Sequence, residues 1–290
     1  MQASDLQRAV AAAKLTVSAC DLAVDDAIVL RDANRVVLRL LPCDVVVRIA
    51  PLALRASAEL EVELVDRLVG TKSPVVPLEP RVEPRVYVGD GFVMNMWTYC
   101  EPAPPGRIPP VSYADALTRL HAGLRQVDLT TPRFTDRVTE AQRVVGSHED
   151  SPMLADADRE VLSGTLQGLK GAISDRGAAE QLLHGEPHPG NLLGTASEPL
   201  FIDLETCCRG PVEFDIAHAP EDVSEHYADA DQALVDKCRG LILAMVAAWR
   251  WQRGDRDPGG RRAGLEILSA LRQGPPWPAL DVISQRLAAP

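Results

Sequence analysis

The sequence predicts an α+β protein of two lobes, with a small antiparallel sheet in the first lobe and a larger, mainly helical second lobe. Short runs rich in β-branched residues fill residues 27–49 and 85–99, a composition typical of strands. Five prolines then interrupt the pattern within residues 101–110. Beyond them, apolar residues mostly follow helical spacing. We therefore predict lobes at residues 1–98 and 99–290.

Length and composition indicate a globular protein without a membrane span. The 290 residues suffice for two hydrophobic cores, and 46% hydrophobic with 24% charged residues is ordinary. The longest apolar stretch, Leu241–Trp249, is far shorter than the roughly 20 residues that cross a bilayer. No apolar run follows a basic cluster at the start, so we expect no secretory signal and a cytoplasmic protein. None of the six cysteines forms a C-x-x-C motif, which favours reduced thiols over a zinc site.

The charge distribution disfavours nucleic-acid binding and leaves two interpretations of the acidic second half. The net charge is −11 and no run of Lys or Arg occurs, whereas nucleic-acid affinity depends on neutralising phosphates. Residues 1–100 carry 11 Lys and Arg against 13 Asp and Glu, a net charge of −2, which leaves −9 for the remainder. This charge attracts a cationic substrate, or it serves only solubility.

The predicted first lobe combines helices with short strands. Gln2–Lys14 is a predicted helix with Ser4 as its N-cap, and the runs AIVL, RVVLRLL and DVVVRIA are predicted strands. Leu54–Val69 alternates like a strand in part, but its length and its strong helix formers favour a helix. On that helix Glu61 falls inside the apolar stripe. Because a lone buried charge is unfavourable, Glu61 needs a partner.

A hairpin is predicted next, and helices dominate after the prolines. The hairpin joins Arg85–Val88 to Phe92–Tyr99 through a Gly-Asp-Gly turn. Residues 182–202 hold short strand-like pieces between Gly and Pro residues. The predicted helices of the second lobe are Ser112–Val127, Asp136–Val145, Pro152–Leu169 and Asp229–Trp251.

The residues that carry chemistry are concentrated in residues 181–218. Glu186 follows a His-Gly pair, Asn191 comes five residues later, and Asp203 ends the apolar run LFI twelve residues beyond, with Glu205 close behind. Loops from adjacent short strands would bring these groups together. Asn and Asp oxygens are hard ligands that suit Mg²⁺, and the carboxylate of Glu186 is then free to orient or deprotonate a nucleophile. This is the minimum equipment for phosphoryl transfer.

The same segment resembles the aminoglycoside phosphotransferase and choline kinase-like family. HGEPHPGN is similar to the family's H-G-D-x-H-x-x-N loop and to the protein-kinase catalytic loop. IDLE resembles the family's I-D-x-E/D element, and GPVEFDIAH resembles its G-P-x-x-x-D-L-A segment. The resemblance implies a bilobal protein-kinase-like fold, Mg²⁺, ATP or GTP as phosphate donor, and a hydroxyl-bearing small molecule as acceptor.

The resemblance also implies a role for each motif residue. Glu186 takes the catalytic-base position, Asn191 and Asp203 bind Mg²⁺ and belong to the catalytic set, and Glu205 is either a further metal ligand or a loop brace. Asp215 is expected to be a helix N-cap or a loop anchor. Structural roles are expected for His121, His184 and His188.

Glu186 is the departure from the family pattern, because the family's base is usually Asp. Glu is one methylene longer, so its carboxylate must sit differently to reach the same hydroxyl. Two outcomes follow. Either the acceptor site is reshaped around an active enzyme, or the chain is a silent nucleotide-binding module. Since both metal positions are intact, we expect an active enzyme.

The first lobe resembles the family more loosely. RDANRVVLRL occupies the place of the phosphate-covering loop and keeps Asn34, but it has no glycine. VVVRIA places Arg48 where the family presents a phosphate-binding Lys, and Glu61 is its expected partner. Arg can hold phosphate through a planar fork. The alternative is that Arg48 is an ordinary residue on a strand edge.

FVMNMWTYCEP resembles the strand that leads into the hinge between the lobes. The resemblance implies that backbone groups of Trp97–Cys100, including Thr98 and Tyr99, meet the purine base. Met94 and Met96 would then line an apolar nucleotide slot. The alternative for these methionines and for Trp97 is an ordinary core position.

The acceptor itself is open at this stage. The acidic second half favours an aminoglycoside or another cationic antibiotic, whereas choline, a sugar or an amino alcohol is the alternative. A protein substrate is disfavoured because the segment from Asp203 to Asp215 is too short to form a peptide platform. Acidic residues that could meet a cationic acceptor are Glu149, Asp150, Glu221, Asp222 and Glu225.

Overall fold

The N-terminal part is a five-stranded antiparallel sheet with two helices. The computed structural model describes residues 3–33, 35–104, 106–255 and 257–288. In chain order the elements are α1 (Ala3–Ser18), β1 (Val24–Asp32), β2 (Val36–Pro42), β3 (Val45–Pro51), α2 (Arg55–Leu68), β4 (Tyr87–Gly89) and β5 (Phe92–Thr98). The strand order in the sheet is β1-β2-β3-β5-β4.

The two faces of this sheet have different partners. Along β2 and β3 burial alternates with a period of two residues, so one face is fully buried. That face packs against Ala9, Ala13 and Val17 of α1 in a separate hydrophobic cluster. The other face carries Arg48 and faces the second lobe across a cleft. The predicted strands are therefore confirmed. The alternation of side chains between the two faces decides which of them reach the cleft.

Two predictions at the start and end of this lobe are wrong in detail. Ser4 lies inside α1 and is no N-cap, and the helix continues to Ser18 because its second half packs on the sheet. The predicted strand at Arg85 begins only at Tyr87, since a turn around Pro84 closes with a bond from the Arg85 N–H to the Glu83 carbonyl.

The Gly-Asp-Gly turn between β4 and β5 is confirmed. Asp90 and Gly91 have φ angles of 49° and 81°, and a two-residue hairpin turn of this hand requires positive φ at both positions. Glycine adopts this conformation without strain, and Asp tolerates it better than most residues.

The C-terminal part is mainly helical, as predicted. Strand β6 pairs with β9 and β7 pairs with β8, both antiparallel. Its elements are α3 (Pro110–Leu124), α4 (Phe134–Gly146), α5 (Asp156–Ser174), β6 (Glu180–Leu183), β7 (Leu192–Gly194), β8 (Pro199–Phe201), β9 (Cys208–Pro211), α6 (Val212–Ile216), α7 (Glu221–Ser224), α8 (Gln232–Arg250), α9 (Gly260–Gln273) and α10 (Leu280–Ala288).

Helix ends explain the differences from the predicted bounds. Helix α5 begins at Asp156 rather than Pro152, with acidic residues in its first turn where the helix dipole favours them. Helix α8 begins after Asp231, whose side chain accepts hydrogen bonds from the N–H groups of Ala233 and Leu234. Helix α3 begins at Pro110, a position where the missing N–H costs nothing.

Helix α2 joins the two parts. Its residues Leu64, Val65 and Leu68 are buried in the large C-terminal core, whereas Glu61 is buried at the cleft. The predicted helix and the inward position of Glu61 are confirmed. Strand β5 ends at Thr98, and the division into lobes at 98/99 stays a prediction. Among the helices described, none has both the length and the apolar character needed to cross a bilayer.

Candidate active site

A cleft of about 810 Å³ lies between the sheet and the helical part. Residues of both parts line it, so side chains distant in sequence meet here. The predicted site residues that line the cleft are Arg48, Trp97, Thr98, Tyr99, Glu186, Asn191, Asp203 and Glu205. Asn34 falls outside the described residues.

One end of the cleft is an apolar slot beside the connection between the lobes. Val46 and Trp97 come from the sheet, and Leu193 and Ile202 come from the β7–β8 hairpin. Such a pair of apolar walls suits a flat base. Tyr99 follows β5 outside the strand and lines the slot.

Met96 is a correction to the predicted slot. Its side chain, like that of Met94, packs in the cluster against α1. Successive side chains of a strand point to opposite faces, so Asn95 and Trp97 take the other face of β5. The predicted lining of the slot by these two methionines is wrong, and their alternative, an ordinary core position, is right.

The loop that carries Glu186 is anchored from behind by Asp215. The carboxylate of Asp215 accepts hydrogen bonds from the backbone N–H groups of His184 (2.8 Å) and Gly185 (2.9 Å). It also accepts one from Nε2 of His121 at 3.0 Å. Burial would raise the pKa of Asp215, but the hydrogen bond and charge of His121 lower it overall. Asp215 lies inside α6, so it is a loop anchor and no N-cap.

Glycine is required at position 185 of this loop. Gly185 has a φ of 93°, and a Cβ there would lie 2.0 Å from the Thr206 carbonyl oxygen. His184 also holds this loop in place. Its Nε2 lies 3.1 Å from the Ile202 carbonyl oxygen. Its Nδ1 accepts a hydrogen bond from the Glu186 N–H at 3.3 Å. Since Nδ1 accepts a hydrogen bond, it carries no proton and the imidazole is structural. Burial also lowers the pKa of His184.

Glu186 forms an ion pair with Arg137, a residue of α4 that sequence reasoning missed. Nη2 of Arg137 donates to Oε1 of Glu186, and the guanidinium lies over the Trp249 ring, 5.1 Å from its centre. The carboxyl is 26% exposed and faces the cleft. Burial would raise the pKa of Glu186, but Arg137 outweighs it and the pKa lies below the usual range. The longer side chain is therefore held as a carboxylate.

His218 lies behind the same carboxylate and was also missed. It is only 5% exposed, and it packs edge-on against Phe214 at 5.3 Å between ring centres. Within the described part of the chain, neither ring nitrogen has a hydrogen-bond partner. Burial, partly offset by the charge of Glu186, lowers the pKa of His218 to about 3. A neutral imidazole with free nitrogens thus lies near Glu186.

The predicted metal-binding residues converge next to Glu186. Nδ2 of Asn191 donates to the Glu186 carbonyl at 3.0 Å, which leaves its Oδ1 for a ligand. Asp203 adopts the left-handed conformation, φ 67° and ψ 54°, a strain often found at functional sites. Together with Glu205 they offer an amide and two carboxylate oxygens. Hard oxygen donors of this kind fit Mg²⁺, which completes its shell with water and phosphate oxygens.

This donor set is an incomplete cage by itself. In the described ranges, no group of three or more His, Cys, Asp or Glu residues could hold a metal ion alone. Arg48 instead neutralises the carboxylates, since its Nη2 lies 2.6 Å from Oδ1 of Asp203. A metal here would therefore bind weakly by itself and more tightly once a polyphosphate completes its shell, which fits the chemistry of Mg²⁺ nucleotides.

Arg48 and Glu61 form the predicted ion pair. Nη1 of Arg48 donates to Oε1 of Glu61 at 2.5 Å, and Glu61 is 1% exposed. Burial would lower the pKa of Arg48, but Glu61, Asp203 and Glu205 raise it. Oε1 of Glu61 also accepts a hydrogen bond from the Leu204 N–H at 2.9 Å. This bond connects α2 to the segment that carries Asp203 and Glu205. The alternative of a strand-edge Arg48 is wrong, because β3 lies between β2 and β5.

Arg35 is a third residue that sequence reasoning missed. It lies just before β2, and its Nη1 contacts Glu205 and lies 3.5 Å from Oδ1 of Asp203. The sequence around it, RDANR, gives no signal for this contact beyond the presence of arginines.

The acidic residues proposed for a cationic acceptor do not line the cleft. Asp150 pairs with Arg143, and Asp222 pairs with Arg107 on another face of the protein. The charged residues that line the cleft include the arginines Arg31 and Arg250, which were not predicted.

A sequence model described as the phosphotransferase enzyme family matches residues 30–262. This match covers most of the chain and includes every motif discussed above. The chain belongs to this phosphotransferase family. The expected family and the expected enzyme class, a small-molecule kinase, are thereby confirmed. A search of curated proteins gave no match.

Solved structures confirm the protein-kinase-like fold. The amicoumacin kinase hAmiN, in complex with AMP-PNP, Ca²⁺ and amicoumacin, has a TM-score of 0.71 at 13% identity, covering 96% of this chain and 98% of that one. A fructosamine-3-kinase-like protein of Haemophilus somnus 129PT has a TM-score of 0.66 at 11% identity, covering 92% and 98%. The GDP complex of aminoglycoside 2′-phosphotransferase-IIIa has a TM-score of 0.62 at 16% identity, covering 90% and 98%.

Proposed function

We propose that this protein transfers the γ-phosphate of ATP or GTP to a hydroxyl of a small molecule, in a reaction that depends on Mg²⁺. The observation that carries the proposal is the meeting of Glu186, Asn191 and Asp203 at one end of a cleft whose other end is an apolar slot. The slot suits the base, and the three polar side chains suit the reacting phosphate. Since the donor is a nucleoside triphosphate, we expect the reaction to take place in the cytoplasm.

The metal would be held by Asn191 and Asp203, with Glu205 as a further ligand, and would supply charge neutralisation on the phosphates. Arg48 presents a second guanidinium nitrogen to the same region, and its fork suits phosphate oxygens. Glu61 holds Arg48 in place. This arrangement stabilises the charge on the transferring group, which is the main requirement of phosphoryl transfer.

Glu186 accepts a hydrogen bond from the acceptor hydroxyl in this proposal. The hydroxyl oxygen bonds to the γ-phosphorus, the bond to the β,γ-bridging oxygen breaks, and the hydroxyl proton passes to Glu186. Because the pKa of Glu186 lies below its usual range, this carboxylate is a weak base. It therefore acts mainly by orienting the hydroxyl, and the proton moves late.

The first candidate acceptor is an amine-bearing antibiotic, which would make the protein a resistance enzyme. The net charge of −11 supports a cationic acceptor. Two of the similar structures are an amicoumacin kinase and an aminoglycoside phosphotransferase. For the nucleotide, backbone groups of Trp97, Thr98 and Tyr99 at the slot are the proposed contacts.

A second candidate, a sugar or an amino alcohol such as choline, is supported by the side chains beside Glu186. Arg137 and Arg250 are cationic, and the proposed acidic residues lie elsewhere. Such a site disfavours a polycation and suits an uncharged polyol. A fructosamine-3-kinase-like protein is among the similar structures.

The test measures release of ADP and GDP with Mg²⁺ against aminoglycosides, other cationic antibiotics, choline and sugars. We expect one acceptor class to stimulate turnover, and Glu186→Gln to reduce kcat by roughly 10²-fold, the lower end of the range for a group that positions a hydroxyl and receives its proton. The exposed Glu140→Gln changes the charge equally on the surface of α4 and should leave kcat unchanged. Nucleotide binding without turnover on the whole panel would instead favour a silent module.

A further inference from the structure

The loop between β1 and β2 places a guanidinium directly on the proposed metal ligands. Arg35 is 18% exposed, lines the cleft, and contacts Glu205 and Asp203 through Nη1. Arg48 binds the same Oδ1 of Asp203 from the sheet. Two arginines thus surround the carboxylates that a divalent metal would need.

The two arginines differ in what else holds them. Arg48 is fixed by Glu61, so it keeps a partner when Asp203 turns to a metal. The ion pairs of Arg35 in the described structure are with Asp203 and Glu205. A guanidinium and a divalent cation repel each other at one carboxylate. Binding of a metal therefore displaces Arg35 rather than Arg48.

Once displaced, the side chain of Arg35 is able to bind the phosphates of the nucleotide. Residues 31–35 contain no glycine, and backbone N–H groups of a glycine-rich loop are the usual cover of nucleotide phosphates. An arginine fork supplies charge-assisted hydrogen bonds to phosphate oxygens in their place. Arg35 is therefore both chemically suited to bind phosphate and placed next to Asp203, where the phosphates are expected.

We infer that Arg35 binds the polyphosphate of the nucleotide and that, before the nucleotide arrives, it competes with the divalent metal for Asp203 and Glu205. This inference rests on the proposed function. It has an unusual consequence, because removal of Arg35 weakens nucleotide binding and strengthens the binding of metal alone.

The test measures two affinities separately for wild type and Arg35→Ala. The first is that of Mn²⁺ without nucleotide, measured by electron paramagnetic resonance, and the second is that of ADP with a chelator present, measured by calorimetry. We expect Mn²⁺ to bind several-fold more tightly to the variant and ADP to bind about tenfold more weakly, the effect of one charge-assisted hydrogen bond. Arg35→Lys keeps the positive charge but lacks the planar fork, so both of its affinities should lie between those of wild type and Arg35→Ala.

Arg55→Ala removes an exposed arginine of α2 that pairs with Glu59 and should change neither affinity. The inference is overturned if both affinities of Arg35→Ala equal those of wild type, or if both fall together with thermal stability, as a structural role predicts. If Mn²⁺ binds neither protein without nucleotide, the proposed competition between Arg35 and the metal is overturned, and the ADP measurement still decides whether Arg35 binds the polyphosphate. If ADP does not bind wild type, both proposals fail.

Discussion

The two sides of the cleft differ in what holds their charged side chains. Behind Glu186, the buried Asp215 accepts hydrogen bonds from two backbone N–H groups and from His121. Beneath the sheet, the ion pairs of Asp203 and Glu205 within the described residues are with the mostly buried side chains of Arg35 and Arg48. The hydrogen bonds to Asp215 form when the chain folds, and no ligand can replace them, because a buried carboxylate without donors is very unfavourable. Asp203 and Glu205 can exchange their partners for a metal and phosphates.

The comparison shows where the protein is pre-organised. The loop of Glu186 has its geometry before any ligand binds, since its anchor is part of the core. The metal side is completed by the ligands, so its carboxylates must be kept neutralised until they arrive. Catalysis by positioning needs the first property, and binding of a charged nucleotide complex tolerates the second.

The largest expected effect separates the two aspartates. Asp215→Asn replaces a charged acceptor by an amide that faces N–H donors, so we expect the free energy of unfolding to fall by about 3 to 5 kcal/mol. Asp203→Asn removes a partly exposed ion pair and should cost less than about 1 kcal/mol, although phosphotransfer is lost. Urea unfolding of both variants measures this.

Equal losses of stability in Asp215→Asn and Asp203→Asn would contradict the proposed difference between the two sides of the cleft. If Asp215→Asn does not fold, His121→Asn provides a milder test, because it removes one donor to Asp215 and leaves the backbone bonds. Asp222→Asn, which breaks an exposed pair with Arg107, is the matched control and should change stability very little.

A smaller effect concerns pH and the buried His218. Its pKa is lowered to about 3 in the folded protein and is near 6.5 when unfolded. Below about pH 6.5 the unfolded chain binds the extra proton, so stability is full above this pH and falls as the pH drops toward the folded pKa. His218→Phe removes this proton uptake and should reduce the slope of stability against pH by about 1 kcal/mol per pH unit.

Urea unfolding between about pH 5 and 7 provides the measurement. The exposed His226→Gln should leave the slope unchanged. An unchanged slope in His218→Phe would show that the imidazole is charged or partnered in the folded protein, which contradicts its burial without partners.

The parts of the site that the sequence predicts are those defined by local spacing. Glu186, Asn191 and Asp203 fall in motifs short enough for the β7–β8 hairpin, which lies between the paired strands β6 and β9, to bring them together. The pair of Arg48 and Glu61 is predictable because an acidic residue in an apolar helical stripe demands a cation. Most strands and helices follow from periodicity, with ends that differ by a few residues.

The parts that it does not predict depend on contacts between distant elements. Arg137 reaches Glu186 from helix α4, Arg35 reaches Glu205 from the loop between β1 and β2, and neither has a local pattern. The position of Met96 is predicted wrongly because periodicity gives the alternation of a strand but not which face meets which core. The surroundings of Glu186 are unpredictable for the same reason, since Arg137 of α4 and Trp249 of α8 meet there.

The smallest expected effect tests how Glu186 is held. Arg137 is the main reason that the pKa of Glu186 lies below its usual range despite burial. Arg137→Ala removes the largest contribution that opposes burial, so the pKa of Glu186 rises and the loss of activity on acidification should begin at a higher pH. The measurement is kcat against pH with the acceptor found in the screen, together with the ¹³C shift of the Glu186 carboxyl, which needs no acceptor. Arg143→Ala, which breaks an exposed pair on the same helix, should shift neither curve, and an unmoved carboxyl titration in Arg137→Ala would show that Glu186 is held as a carboxylate by other groups.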